Sequence, residues 1–207
     1  MPPHPPLRSF YIVRHGESTA NVDGTFAGTR EVDLTPTGEE QAKALGEILK
    51  GLPVTRIVSS PQKRALRTAK LALIASGRAD LSIETDNEIR ERNYGDLQGL
   101  NKREFKEQHN IEALTADVLK AHGAETDDEI VARIPPAILE QLNKPGTPMF
   151  VAHSGTTKAL MLGLLGHKTF TRPGNGEVWL FAKYEPGHWH ASINGEPYKE
   201  PEPIELG

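Results

Sequence analysis

Two histidines, each closing an apolar run and each followed by small residues, are the groups in this chain best suited to chemistry. Ser9-Phe10-Tyr11-Ile12-Val13 stops at Arg14-His15-Gly16-Glu17-Ser18, and Thr147-Pro148-Met149-Phe150-Val151-Ala152 stops at His153-Ser154-Gly155. A buried strand that ends abruptly in polar groups delivers them to a sheet edge. An imidazole with an unprotonated nitrogen is a nucleophile there, and the planar donor fork of Arg14 suits an anion such as phosphate. Gly16 is expected to leave room for a ligand to approach the backbone. The combination reads as an anion pocket with a nucleophile in it.

Two further stretches supply partners. Ser59-Ser60-Pro61 follows the strand-like run Val54 to Val58 and reads as a polar cap with proline opening a helix, which puts Arg64 in the first turn. Backbone N–H groups at such a helix start favour an anion. The charged stretch Glu88 to Gly99 contains Glu91, Arg92 and Tyr94, a carboxylate, a guanidinium and a phenol within four positions, which are parts of an acid/base site facing an anion.

The elements that must carry these groups alternate along the chain. Residues 10–13, 54–58, 81–84 and 147–152 read as strands, and 177–183 with 188–193 as a C-terminal hairpin turning at Pro186-Gly187. Thr35-Pro36 opens a helix as N-cap and first residue, with Ala42, Leu45, Leu49 and Leu52 on its buried face. Glu17 to Thr35 reads as a long loop able to fold over a ligand. Residues 101–143 read as a helical excursion covering the site, with breaks near His122-Gly123 and at Pro135-Pro136. Strands alternating with helices give one α/β domain, a three-layer α/β/α sandwich with a mainly parallel central sheet. In such folds ligand groups collect at the carboxyl ends of the strands, where His15 and His153 are expected to meet.

Composition removes several classes of function. The 207-residue chain has a formal net charge of −4 and no cysteine. That excludes disulfides, thiolate metal sites and a cysteine nucleophile, and it argues against a general nucleic-acid or membrane-surface binder. Met1 to Pro6 has neither the charge nor the apolar run of a signal peptide, residues 1–8 read as a flexible tail, and the stretch from Pro197 reads as loose. The expected protein is cytoplasmic, works on a small phosphorylated metabolite without nucleic acid or membrane, and associates at most with further copies of itself.

Strand-Arg14-His15-Gly16-Glu17-Ser18, Asn21, Ser59-Ser60-Pro61 with Arg64, Glu91 before Tyr94-Gly95, and strand-Ala152-His153 together resemble the histidine phosphatase superfamily, the phosphoglycerate mutase-like proteins, from about Phe10 to Gly166. The resemblance implies that His15 attacks phosphorus, that Arg14, Arg64 and His153 hold its oxygens, and that Glu91 protonates the leaving oxygen. It also implies substrate contacts from Asn21, Thr29, Arg92, Tyr94, Lys102 and Ser154. No metal is implied, and no cofactor for a phosphatase; a mutase would use 2,3-bisphosphoglycerate as phosphoryl donor. Residues 91–102 are similar to the cofactor-dependent mutases in particular. Between Lys102 and His153, however, no paired arginines occur for a sugar-acid carboxylate, and Ser154-Gly155 stands where mutases show Gly-Asn. Those two departures favour a phosphatase, with mutase as the alternative.

Other classes fit less well. Ser154 between a strand and a helix suggests a serine hydrolase, but Ala152 and Thr156 flank it where a nucleophile elbow needs glycines. His188 and His190 lack a carboxylate companion for a metal. A non-catalytic phospholigand-binding protein would need the cations but neither His15 as nucleophile nor Glu91 as proton donor.

Overall fold

The computed structural model describes residues 5–167, 169, 171–185 and 187–198. Its centre is a seven-stranded sheet in the order β3-β2-β4-β1-β5-β6-β7. The strands are β1 (Arg8–Arg14), β2 (Arg56–Ser59), β3 (Ile83–Thr85), β4 (Pro148–Ala152), β5 (Val178–Tyr184), β6 (His188–Ile193) and β7 (Glu196–Pro197). β3, β2, β4 and β1 run parallel, and the C-terminal hairpin extends the sheet antiparallel from β1. β2 and β4 are buried along their whole length, as expected of strands covered on both faces.

Helices cover both faces. On one side α2 (Pro36–Gly51) and α3 (Lys63–Ser76) pack over Val13, Ile57, Met149 and Val151. On the other, α6 (Asp127–Gln141) and α7 (Ser154–Leu165) pack over Phe10, Ile12, Val58 and Phe150. The short α1 (Thr19–Val22) follows β1, and α4 (Lys102–His109) with α5 (Ala116–Ala121) forms the excursion beyond the sheet. Thr35 caps α2 as expected, its hydroxyl accepting from Gly38 N–H at 3.0 Å.

The register brings the two histidines together. Arg14 pairs with Ala152 across β1 and β4, and His15 N–H donates to Ala152 C=O at 2.9 Å. His15 and His153 therefore stand just past the carboxyl ends of neighbouring parallel strands, their ring centroids 5.2 Å apart. β2 flanks β4 on its other side, and Ser60 N–H donates to Val151 C=O.

Several local expectations need correction. The N-terminal tail is shorter than eight residues, because Leu7 N–H donates to Lys183 C=O and Arg8 pairs with Lys183 in the sheet; residues 1–4 lie outside the described residues. Pro197 pairs with Ser192 and Tyr198 N–H donates to Ala191 C=O, so the chain is held to there; residues 199–207 lie outside the description, as does Pro186 of the hairpin turn. Pro135 and Pro136 sit inside α6 rather than ending it. Each proline removes one backbone donor, but Pro135 is buried against Gly163, where an added Cβ would come within 2.9 Å of its ring; packing on α7 keeps the helix continuous. Ser60 does not cap α3: the N-cap is Gln62, and the Ser60 hydroxyl turns to His153.

Candidate active site

A cavity of about 920 Å³ opens at the carboxyl edge of the parallel strands. His15, Arg14, Arg64, Glu91, Asn21, Arg92, Tyr94, Lys102 and Ser154 all line it. His153 lies directly behind His15 and is fully buried. Thr29 does not line the cavity: its N–H and hydroxyl both donate to Gln98 Oε1, at 2.6 and 2.9 Å. It clamps the loop that carries Gly28, so a direct substrate contact is corrected to a supporting one.

Partner chemistry fixes the protonation of His15. Arg64 Nε–H can only donate, and it lies 3.1 Å from His15 Nε2; the Gly16 carbonyl can only accept, and it lies 2.7 Å from Nδ1. The proton is therefore on Nδ1, and the Nε2 lone pair accepts from Arg64, a contact the guanidinium must give up for a ligand before Nε2 can attack. Burial first, then the nearby Arg64 and Arg14, push the His15 pKa well below 6.5. The nucleophilic form is the resting form.

The cations around it are held by backbone carbonyls rather than by carboxylates. Arg64 is 1% exposed and donates to Gly28 C=O at 2.9 Å and Arg30 C=O at 3.1 Å, leaving further N–H donors of its fork for an anion. Arg14 Nη1 donates to Pro173 C=O at 2.8 Å. Burial, with Arg172 and Arg64 nearby, lowers its pKa to about 10, so it stays charged at neutral pH. His153 Nε2 sits 2.8 Å from the Ser60 hydroxyl, while its buried Nδ1 has no partner. A buried, unpaired ring nitrogen is costly unless a ligand completes it.

Glu91 is placed by three contacts. Its N–H donates to Gln62 Oε1 at 2.8 Å, its Oε1 accepts from Arg92 N–H at 2.8 Å, and Gly155 N–H approaches Oε2 at 3.4 Å. An added Cβ on Gly155 would lie 2.0 Å from Glu91 Oε1, which is why the second residue of α7 is a glycine. Gly16 has a different task from the one its sequence context suggests. A Cβ there would meet the Gly38 carbonyl oxygen at 2.3 Å, so Gly16 lets β1's tip dock on the start of α2, and Thr68 Oγ1 accepts its N–H at 3.0 Å.

The remaining positions are more varied. Asn21 Oδ1 accepts from Ser18 and Asn175, so only its amide hydrogens are open to a ligand. Tyr94 has its pKa raised to about 12 by burial and by Glu91, which keeps it a phenol and a donor. Arg92 pairs with Asp127 and lies over the Tyr94 ring. Sequence reasoning missed Arg172, Lys158, Arg103 and Lys106, which also line the cavity, and Thr68, whose hydroxyl accepts from Gly16 N–H and donates to Arg64 C=O; it read Ser60 as a helix cap rather than as the partner of His153. Nothing local marks Arg172.

The sequence of the chain from 10 to 178 matches the profile of the histidine phosphatase superfamily, branch 1. The chain belongs to the histidine phosphatase superfamily. It is 36% identical over 170 residues to a 2,3-bisphosphoglycerate-dependent phosphoglycerate mutase of Mesorhizobium japonicum, covering 77% of this chain and 82% of that one. Among solved structures, a mycobacterial glucosyl-3-phosphoglycerate phosphatase complexed with VO3 superposes with a TM-score of 0.74 at 25% identity, covering 90% of this chain and 97% of that one. The phosphoglycerate mutase of Bacillus anthracis superposes with a TM-score of 0.80 at 23% identity, covering 91% and 93%. Among the described residues no helix is long and apolar enough to cross a membrane.

In this histidine phosphatase the buried imidazoles also set acid stability. Burial, followed by Arg64 and other nearby cationic groups, pushes His153 well below 6.5 as it does His15. Below about pH 6.5 the unfolded chain binds protons on both residues that the folded protein refuses. Their contribution is thus fully present above that pH and is lost as pH falls, at a slope approaching ~1.4 kcal/mol per pH unit for each imidazole. Urea titrations from pH 7 to pH 5 should show wild type losing stability more steeply than His15→Asn/His153→Asn. Parallel curves would mean the histidines titrate normally.

Proposed function

We propose that the chain is a phosphomonoesterase that transfers a phosphoryl group from a small phosphorylated metabolite to His15 and then to water. The observation that carries this reading is the His15 tautomer, with Nδ1–H on Gly16 C=O and an unprotonated Nε2 that accepts from Arg64, the same guanidinium that a phosphoryl group would draw to its oxygens. Nε2 attacks phosphorus and the P–O ester bond breaks. The departing oxygen takes a proton from Glu91, releasing an alcohol. Water then attacks the phosphohistidine, gives its proton to the Glu91 carboxylate, and breaks the P–N bond, returning neutral His15 and inorganic phosphate. Arg14, Arg64 and His153 Nδ1–H neutralise the charge spread over the phosphoryl oxygens, where electrostatic stabilisation does most of the work. No step calls for a metal.

Phosphoglycerate mutase is the second reading, supported by the activity named for the Mesorhizobium relative; it would take 2,3-bisphosphoglycerate as phosphoryl donor. The Arg92–Asp127 pair weighs against it, because the guanidinium at a substrate-contacting position already holds a carboxylate. The test is a phosphatase screen on phosphorylated metabolites run beside a monophosphoglycerate interconversion assay with and without 2,3-bisphosphoglycerate. Phosphate release without stimulated interconversion is expected. Interconversion that depends on the bisphosphate would overturn hydrolysis as the main activity.

A further inference from the structure

Gln62 holds the N-cap position of α3 and is 4% exposed, yet its side chain makes no hydrogen bond to its own helix. Short side chains such as serine and aspartate are the ones that close a helix start; this longer amide reaches past it. Nε2 donates to Gly28 C=O at 2.8 Å, and Oε1 accepts from Glu91 N–H at 2.8 Å. The partners fix the orientation of the amide, since a carbonyl can only accept and a backbone N–H can only donate. Gly28 C=O also accepts from Arg64 Nη2 at 2.9 Å, so both lone pairs of that carbonyl are used. A hydrogen-bonded line thus runs from Arg64 through Gly28 and Gln62 to Glu91. Gln62 itself does not line the cavity.

We propose that Gln62 is a positioning residue for proton transfer, fixing the proton donor Glu91 relative to Arg64, which holds the phosphoryl group. The proposal rests on the phosphomonoesterase reading, in which both residues act on the same phosphoryl ester. Glu91 lies between a 3₁₀ turn ending at Ile89 and another starting at Gly95, in backbone that no helix or strand ladder holds. Its segment is tied on two sides. From α6 and the residues just before it, Arg133 Nη1 donates to Glu88 C=O and Arg90 C=O at 2.6 and 3.3 Å, and Glu125 Oε2 accepts from Asn93 N–H at 2.8 Å. From α3, Gln62 bonds to Glu91 itself. The α6 side keeps the segment folded without Gln62, and the α3 side sets where Glu91 stands against Arg64. A misplacement of about 1 Å lowers a rate on the order of a hundredfold, and support behind the reacting groups is what prevents it. Burial of an amide is unfavourable unless its ends are hydrogen-bonded, and here each end is bonded to a different part of the site.

The test measures the rate at which His15 is phosphorylated, by rapid quench in single turnovers with 4-nitrophenyl phosphate and with an alkyl phosphate. Gln62→Met and Gln62→Leu both remove the amide while filling its space differently, so a loss shared by the two is not a packing fault of either. Phosphorylation by the alkyl ester should fall about 10- to 100-fold in both variants. Phosphorylation by the nitrophenyl ester should hardly change, and calorimetry should find inorganic phosphate bound as tightly as by wild type. A second measurement separates position from stability. Because Gln62 acts through Glu91, the double variant Gln62→Met/Glu91→Gln should be no slower on the alkyl ester than Glu91→Gln alone. Additive losses in that double variant, equal losses on the two esters, an unchanged alkyl rate or a lost affinity for phosphate would each overturn the role of Gln62. Wild type that takes no phosphoryl group onto His15 from any ester overturns the phosphomonoesterase reading itself, and the role of Gln62 with it.

Discussion

Replacing His15 by asparagine is expected to lower kcat for phosphomonoester hydrolysis by about 10⁴-fold or more, since a covalent route is lost together with its nucleophile. The two histidines are close enough that either is a formal candidate, and their partners decide between them. His15 lines the cavity with an unprotonated Nε2 held by Arg64, whereas the Nε2 of His153 rests on the Ser60 hydroxyl and its buried Nδ1 has no partner. His153→Asn should therefore slow turnover by a smaller factor, about 10²–10³, the range for losing one donor to a developing charge. Inorganic phosphate should still bind to His15→Asn, because Arg14 and Arg64 are anchored on carbonyls of Pro173, Gly28 and Arg30. Reactions with labelled substrate quenched in alkaline detergent, where the acid-labile P–N bond survives, provide the reading: label retained on wild type and His153→Asn, none on His15→Asn. Label on His15→Asn would transfer the nucleophile's role elsewhere.

What the sequence could show about this site, and what it could not, follows from the range over which each feature is determined. Apolar runs with abrupt polar ends mark β1 and β4 locally, and the rule that ligand groups gather at parallel strand ends brings His15 and His153 together without coordinates. Thr35, Pro36 and the apolar positions of α2 are equally local signals. The reason for Gly16 was misread because its neighbour, the Gly38 carbonyl, belongs to a helix that docks through tertiary packing. Pro135 and Pro136 looked like a helix end because propensity is a weak prior that burial against α7 overrides. Arg172 sits in an irregular segment with no periodicity, and only the fold carries it to the cavity. The pairing of Arg92 with Asp127 is of the same kind. Both residues are plain in the sequence, but whether a guanidinium faces a substrate or a carboxylate depends on how α6 lies across the sheet.

Glu91→Gln should separate the two halves of the catalytic cycle. In the first half the carboxylic acid protonates a leaving oxygen, a contribution of about 10²–10⁴-fold when the alcohol is a poor leaving group and little when it departs readily as an anion. In the second half its carboxylate takes a proton from water, whichever ester was used. With 4-nitrophenyl phosphate, Glu91→Gln should thus release close to one equivalent of nitrophenol per site in a fast burst and then turn over slowly, as phosphohistidine accumulates. With an alkyl phosphate the burst should vanish, because phosphorylation itself becomes slow. The amide is nearly the same shape as the acid, but it keeps only part of the hydrogen bonding: one carbonyl oxygen remains for Arg92 N–H, and its NH₂ turns a donor toward Gly155 N–H, where the carboxylate now offers an acceptor. That contact is already long, so the variant should fold. Rapid-quench kinetics on the two esters measure the difference, and an equal loss of the fast phase for both would remove Glu91 from the role of acid.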